Sequence, residues 1–395
     1  MNETPGSTRM EEKRVRRALP FHGVALVLQG GGALGAYQAG VFQAIYEANI
    51  EVSWVCGTSI GAVNGALIVG NPPERRVERL REFWETITTP QVSFLNIPWF
   101  SHVALAENPQ TRYWANKISI LTTMTQGTLG FFSARPFPPI NSPAADPSQV
   151  SYYDISPLKA TLAKLVDFDL INSRPMRLSV GATHVRTGAS TYFNSNERPL
   201  SISHILASAS LPPGFPPTEV EGEYYWDGAV VSNTPMQHVI DNRQRDSALI
   251  FQVDLWDPNG EVPLDIPSAF LRATEIHSAS RVNISIEQYK KMEKYRHALC
   301  SFFDRLPQQY QNDPDAKFLE QEARVKTATI VQLKYQSKKY EVSGKTFEFS
   351  RRAMEEHWQA GYDDTNVALG EPAVLDPPSV AEALRIFDVR QGWMK

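Results

Sequence analysis

Two cysteines in 395 residues, Cys56 and Cys300, are too few and too far apart in the chain to build a disulfide framework. A reducing compartment, the cytoplasm, is therefore the expectation. No eighteen-residue run of consecutive apolar side chains occurs, so no transmembrane helix is expected. The first residues also lack the apolar segment of a signal peptide. Any membrane contact is then expected to be peripheral, at the inner surface. Neither charge sign dominates: 39 Lys and Arg against 43 Asp and Glu leave a net charge of −4. That balance gives no reason to expect nucleic acid as a partner. Metal-ligand spacing is missing too. Glu355-Glu356-His357 is not H-E-x-x-H, and no two histidines stand at i, i+4. No metal and no cofactor are expected.

Hydrophobic residues make up 42% of the chain, enough for a sizeable core. Residues 1–20 are polar and read as a disordered tail. Its basic run, Lys13, Arg14, Arg16 and Arg17, has a sharper alternative reading as weak attraction to anionic lipid. Residues 24–28 (VALVL) have the length and continuous apolarity of a strand buried on both faces. A glycine-rich turn, a helix over 36–48, a strand over 52–56 and a helix over 60–69 follow. That alternation predicts a parallel sheet. Residues 90–150 break the rhythm with Pro and aromatics, among them Phe94, Trp99, Phe100, Trp114, Phe131, Phe132 and Phe137, and predict a lid-like insertion. Strands are predicted over 178–183 and 191–193, a short helix over 202–209 and a buried strand over 248–255. After about 265 the composition changes, with helices expected over 281–299 and 351–369 and a strand over 328–333. This divides the chain into a tail (1–20), one α/β domain (21–260) and a helix-rich C-terminal extension of unassigned role (261–395).

Three motifs carry chemistry. Gly57-Thr58-Ser59-Ile60-Gly61 joins a strand to a helix. In such a nucleophile elbow the serine Oγ is lifted clear of the sheet, and the flanking glycines avoid clashes with neighbouring backbone. Gly30, Gly31, Gly32 and Gly35 form a second strand-to-helix turn. The spacing of Gly30, Gly32 and Gly35 fits a dinucleotide fingerprint, but that reading needs an acid at the end of the next strand, where Cys56 stands instead. The other reading is an oxyanion hole, in which successive glycine N–H groups meet developing negative charge. Adjacent parallel strands would bring both turns to one edge of the sheet. Third, Asp227-Gly228-Ala229 follows an aromatic run and, taken alone, reads as a turn former before it reads as a catalytic group.

In their order and spacing the three motifs resemble the patatin-like phospholipase family, as do Ala207-Ser208-Ala209-Ser210-Leu211-Pro212, Phe215-Pro216-Pro217 and Thr234-Pro235. The resemblance covers roughly residues 22–255. It implies a three-layer α/β/α fold with a mostly parallel central sheet. It also implies a Ser59–Asp227 dyad: Ser59 the nucleophile, Asp227 the general base, and Gly30, Gly31 and Gly32 the oxyanion hole. The substrate class it implies is the lipid or fatty-acyl ester. Gln29 departs from plant patatins, which carry an acid there. The part after about 265 resembles an extension seen in a bacterial subgroup. Two other functions fit parts of the pattern: a Ser-His-Asp hydrolase drawing on His238, His277, His297 or His357, and a non-catalytic lipid-binding module. The oligomeric state is not set by the sequence.

Overall fold

The computed structural model describes residues 17–88, 108–140, 146–243, 247–310, 312–323, 327–338, 340–341, 344–379 and 382–394. Strand β1 (Gly23–Leu28) sets the architecture. Val24, Leu26 and Leu28 enter one core, while Ala25 and Val27 enter a second core on the opposite face. A strand buried on both faces needs helices on both sides of its sheet. After β1 come α1 (Ala36–Glu47), β2 (Trp54–Thr58), α2 (Ile60–Val69) and α3 (Arg76–Ile87). Helix α2 is buried along its whole length, which explains why its sequence is apolar all round.

Helix α4 (Pro109–Gln126) starts at Asn108, whose side chain accepts from the Thr111 N–H. Strands β3 (Gly127–Thr128), β4 (Phe132–Ala134) and β5 (Tyr153–Asp154) form a small antiparallel sheet of their own. Then follow α5 (Ser156–Leu165), α6 (Phe168–Asn172), β6 (Arg177–His184), β7 (Ser190–Asn194), α7 (Ile202–Ser208), β8 (Thr218–Val220), β9 (Glu223–Asp227), α8 (Met236–Asn242) and β10 (Ala248–Asp254).

The main sheet has the order β12–β11–β10–β1–β2–β6 at its centre, all parallel, with β11 at Ala328–Lys334 and β12 at Leu384–Asp388. Antiparallel strands finish both edges: β13 (Gly392–Met394) on β12, and β7, β9 and β8 beyond β6. The chain is thus a mostly parallel α/β fold. Met236, Val239 and Ile240 of α8 and Ile286 and Tyr289 of the long helix α9 (Ile266–Phe303) cover one face.

The division expected at residue 260 is not a boundary in this sheet. Strands β11 and β12 lie beyond it in sequence, yet they continue the sheet from β10 in parallel register. Helix α10 (Arg351–Leu369) packs directly on α1. Gly40 and Gly361 permit the approach, since a Cβ at either would strike backbone of the other helix. Tyr37 Oη donates to Asp364 at 2.7 Å and Trp358 Nε1 to Gln43 at 2.6 Å across the same contact. The helix expected over 281–299 begins at Ile266 and runs 38 residues, initiated by an Asp265–Ser268 capping box.

The lid-like segment is answered in part. Trp99, Phe100 and Phe94 lie outside the described residues. Phe131 and Phe132 are core residues, whereas Phe137 and Trp114 are exposed. Among the described residues, no helix is long and apolar enough to cross a membrane.

Candidate active site

Leu28 and Gly57 are paired at the ends of β1 and β2, so the turns that follow them sit side by side at one edge of the sheet. Ser59 occupies the second turn with φ 57° and ψ −127°. A non-glycine residue in that region is strained, and such strain persists only where the surroundings enforce it. Three constraints do so. A Cβ at Gly57 would strike the Gly61 carbonyl, and one at Gly61 would strike the Leu28 carbonyl. The Ser59 N–H donates to Ser208 Oγ at 2.9 Å, and Ser208 Oγ donates onward to the Gly181 carbonyl at 2.6 Å. The elbow is thereby tied to β6.

Asp227 is the last residue of β9 and pairs with Ala182, one step along β6 from Gly181, which pairs with Thr58. The register sets the carboxylate next to the elbow. Its backbone is fixed on both sides: N–H to the Ser210 carbonyl (2.9 Å), carbonyl from Thr183 Oγ1 (3.0 Å). Oδ1 accepts from the Ala229 N–H at 2.8 Å. Gly228 is needed because a Cβ there would press on the Gly181 carbonyl. The side chain is fully buried, and burial raises its pKa to about 7, against the opposing pull of the Ser59 hydroxyl and the Ala229 N–H. Oδ2 has no hydrogen bond within 3.5 Å among the described residues. The Ser59 hydroxyl is nonetheless near enough to draw the carboxyl's pKa down.

The first turn carries Gly30, Gly31 and Gly32. Gly31 is buried, and its N–H donates to no group among the described residues. Gly32 takes φ +57° with the Thr346 carbonyl packed against it. Gly35 is a packing residue; a Cβ there would meet Ile60. Beneath the turn runs a buried chain of amides. Trp84 Nε1 donates to Asn64 Oδ1, Asn64 Nδ2 to Gln38 Oε1, and Gln38 Nε2 to the Gln29 carbonyl. Every link is satisfied, and such networks hold a single geometry.

Ser59 and all three glycines open onto one cavity of about 300 Å³. Its walls are aromatic: Phe131, Phe132, Phe215, Phe347 and Phe349. Phe347, Phe349 and Thr346 come from the 3₁₀ segment near Lys345–Phe347, and Thr274, His277 and Ser278 from α9. His277, one of the four histidines a Ser-His-Asp hydrolase would draw on, is one of the lining residues. His238 is not: its ring packs on Trp54, at the far end of β2 from Ser59. His357 pairs with Glu341 (3.6 Å). No group of three or more His, Cys, Asp or Glu side chains among the described residues is placed to hold a metal ion.

Sequence reasoning thus found the residues that meet here but missed those that hold them: Ser208, Asn233, Trp256 and the walls from the C-terminal half. Ser208 lies within the quoted 207–212 stretch and Asn233 directly before Thr234-Pro235, so a signal existed without a role. Trp256, His277 and Phe347 reach the site by long-range packing and leave no local pattern.

Comparison with known proteins gives two family matches, "Patatin-like phospholipase" over residues 26–240 and "Patatin phospholipase" over residues 276–381. Lysophospholipase nte1 of Aspergillus terreus is 54% identical over 54 residues, 14% of this chain and 4% of that protein. Human patatin-like phospholipase domain-containing protein 6 is 42% identical over 77 residues, 19% of this chain and 6% of that one. Both matches are confined to a small fraction of the relative's length. Among solved structures, VipD from Legionella pneumophila aligns with a TM-score of 0.37 and 14% identity, over 92% of this chain and 72% of that one.

Proposed function

This chain belongs to the patatin-like phospholipase family, and from that premise we propose that it is a serine acyl hydrolase acting on fatty-acyl esters of lipids. One observation carries the reading. A strained serine at a helix start lines an apolar cavity, and behind it a fully buried carboxylate, Asp227, its pKa raised to about 7, interacts with its hydroxyl.

Serine is a weak nucleophile at neutral pH and needs a base. Asp227 Oδ2 takes the Ser59 proton as Oγ attacks the ester carbonyl. The carbonyl oxygen becomes an oxyanion, met by glycine-loop N–H groups, Gly31 first. The partial positive charge at the start of α2 favours the same species. The tetrahedral adduct collapses with release of the alcohol, which takes the proton from Asp227, and leaves an ester on Ser59. Water then attacks that ester, again losing its proton to Asp227, and the fatty acid departs as Ser59 Oγ recovers its proton.

The aromatic walls of the cavity suit an acyl chain rather than a headgroup. Contact with a lipid surface is supported by the helix α9 stripe that lines the cavity. It continues outward from Thr274 through Phe270 and Ile266, both highly exposed.

A fluorophosphonate probe, with hydrolysis measured on fatty-acyl esters of graded length, tests the proposal. Wild type should be labelled at Ser59, and Ser59→Ala should lose about 10⁵–10⁶ in kcat. Hydrolysis by Ser59→Ala at more than a trace would remove the nucleophile and the reading with it.

A further inference from the structure

The Gly30 carbonyl is held by two donors from distant parts of the chain. Asn233 Nδ2 donates to it at 3.0 Å and Trp256 Nε1 at 2.8 Å. Asn233 also receives in return, since the Gly30 N–H donates to the Asn233 carbonyl at 3.2 Å. A trans peptide is planar, with its C=O and N–H directed oppositely. Fixing the Gly30 carbonyl therefore fixes the direction of the Gly31 N–H. That N–H belongs to a buried residue that lines the Ser59 cavity, and it donates to no group among the described residues. A buried backbone N–H without an acceptor is rare, and here it borders the cavity where negative charge would develop.

The two donors are themselves secured. Lys345 Nζ stands 5.2 Å from the centre of the Trp256 ring and pairs with Glu275 of α9 at 2.8 Å. Gln29 Oε1 accepts from the N–H groups of Leu255 (2.6 Å) and Trp256 (3.1 Å), while its Nε2 donates to Thr234 Oγ1 (2.7 Å) and the Ser278 carbonyl (3.1 Å). One buried amide thus binds the segments that carry both donors. A carboxylate at this position could not make the two donations, which gives the Gln29 departure a physical reason.

We propose that Asn233 and Trp256 are positioning residues that lock the Gly30–Gly31 peptide with its N–H toward the nucleophile, so that the oxyanion donor is set before substrate binds. Reversal of this peptide would turn a carbonyl toward the oxyanion and abolish the donor. The inference rests on the acyl-hydrolase reading above.

The test uses the full chain with Trp256→Phe, Asn233→Ala and the double variant. Rates are expressed per site titrated by fluorophosphonate to completion, which discounts misfolded protein. Each single variant should lower kcat about 10-fold, and the double variant about 10²–10³, the loss typical of one missing oxyanion donor. KM should stay within about 2-fold, because the ground-state ester gains little from that donor. Affinity for a trifluoromethyl ketone bearing the same acyl chain, which becomes an oxyanion when Ser59 adds to it, should fall in step with kcat. A double variant with kcat within about 2-fold of wild type overturns the proposal, as does a fall in kcat with unchanged ketone affinity. Absence of labelling at Ser59 in the wild type would instead sink the hydrolase reading, and this one with it.

Discussion

Residues 23–254 supply the groups that would react, and residues 266–394 supply much of what surrounds them. The first region places Ser59, Asp227 and the glycine turn on three elements of one sheet edge. The second adds two strands to the same sheet, a helix along its face and a segment that closes over the glycine turn through Thr346, Phe347 and Phe349. The first is rich in backbone constraint: a strained serine, a carboxylate pinned at both its N–H and its C=O, and glycines that a Cβ would displace. The second is rich in side-chain contact: Lys345 to Glu275, Glu341 to Tyr335 and His357, Arg112 to Glu356. The lesson is that the candidate reacting groups come from one stretch of chain while enclosure is shared, with Phe131, Phe132 and Phe215 from the first region and Phe347 and Phe349 from the second. Changes in the first should act on kcat, and changes in the second on which ester is used.

The sharpest test of this contrast is Asp227→Asn. It removes the base and should cost about 10²–10⁴ in kcat with little change in KM. Since only the ionised carboxylate accepts the proton, wild-type kcat/KM should fall as pH drops through about 7 and level off above it. Stability should move the other way. Asp227 is held above its ordinary value of 3.8, so between about pH 4 and 7 the folded state keeps a proton that the unfolded chain has released. Stability contributed by this group therefore declines across that window and stays low above it. Asp227→Asn carries no such cost, and its Tm gain over wild type should be larger at pH 8 than at pH 5. An equal gain at both values would mean that the carboxylate is ionised throughout.

Gly32→Ala strikes where the two regions touch. Its φ of +57° disfavours a side chain, and the new Cβ would press on the Thr346 carbonyl. A kcat loss of about 10²–10³ is expected from the displaced donors. Normal kcat would separate the glycine turn from the reaction. Phe347→Ala should instead enlarge the cavity from the second region. On esters of increasing length the preferred chain should lengthen, with relative kcat/KM for the longer esters rising roughly 10-fold. An unchanged length profile would mean that Phe347 does not bound the acyl chain. The smallest effect belongs to His277→Ala. His277 lines the cavity, but the proposed dyad needs no imidazole, and at least about a tenth of the activity should survive, as one proton carrier would already serve. Loss as deep as that of Asp227→Asn would turn the dyad into a triad.

The first region was legible in the sequence because its signals are local. A continuous apolar run marks β1, and glycine placement marks both turns, since close backbone approach leaves no other residue tolerable. Asp227 could be picked out only by its place in the family pattern, as an Asp-Gly pair by itself is a common turn. The second region was read less well. Strand β11 was visible as an apolar run, but nothing in Ala328–Lys334 says that its neighbour is β10, seventy residues away or more. Helix α9 was shortened because Ile266 and Phe270 are exposed and spoil the amphipathic pattern at its start. The walls at Phe347 and His277 follow from packing between distant segments, which periodicity does not encode.

The pairing of β10 with β11 has a consequence for synthesis. As the chain leaves the ribosome, β1, β2, β6 and β10 can assemble before β11 exists, leaving Ala248–Asp254 as an open edge with unpaired N–H and C=O groups. The closing strand emerges about 80 residues later, roughly 4–16 s at about 5–20 residues per second. An apolar edge left open that long invites pairing with another nascent chain. Gln252 and Asp254 interrupt the apolar run in the middle and at the end of that edge, and Gln252 lies directly opposite Gln332 once β11 arrives, their amides 3.5 Å apart. With β11 slipped by one residue, Gln252 would stand opposite Val331 or Leu333 instead of Gln332. The amide pair in the finished core therefore favours the observed register of β11 over a slipped one.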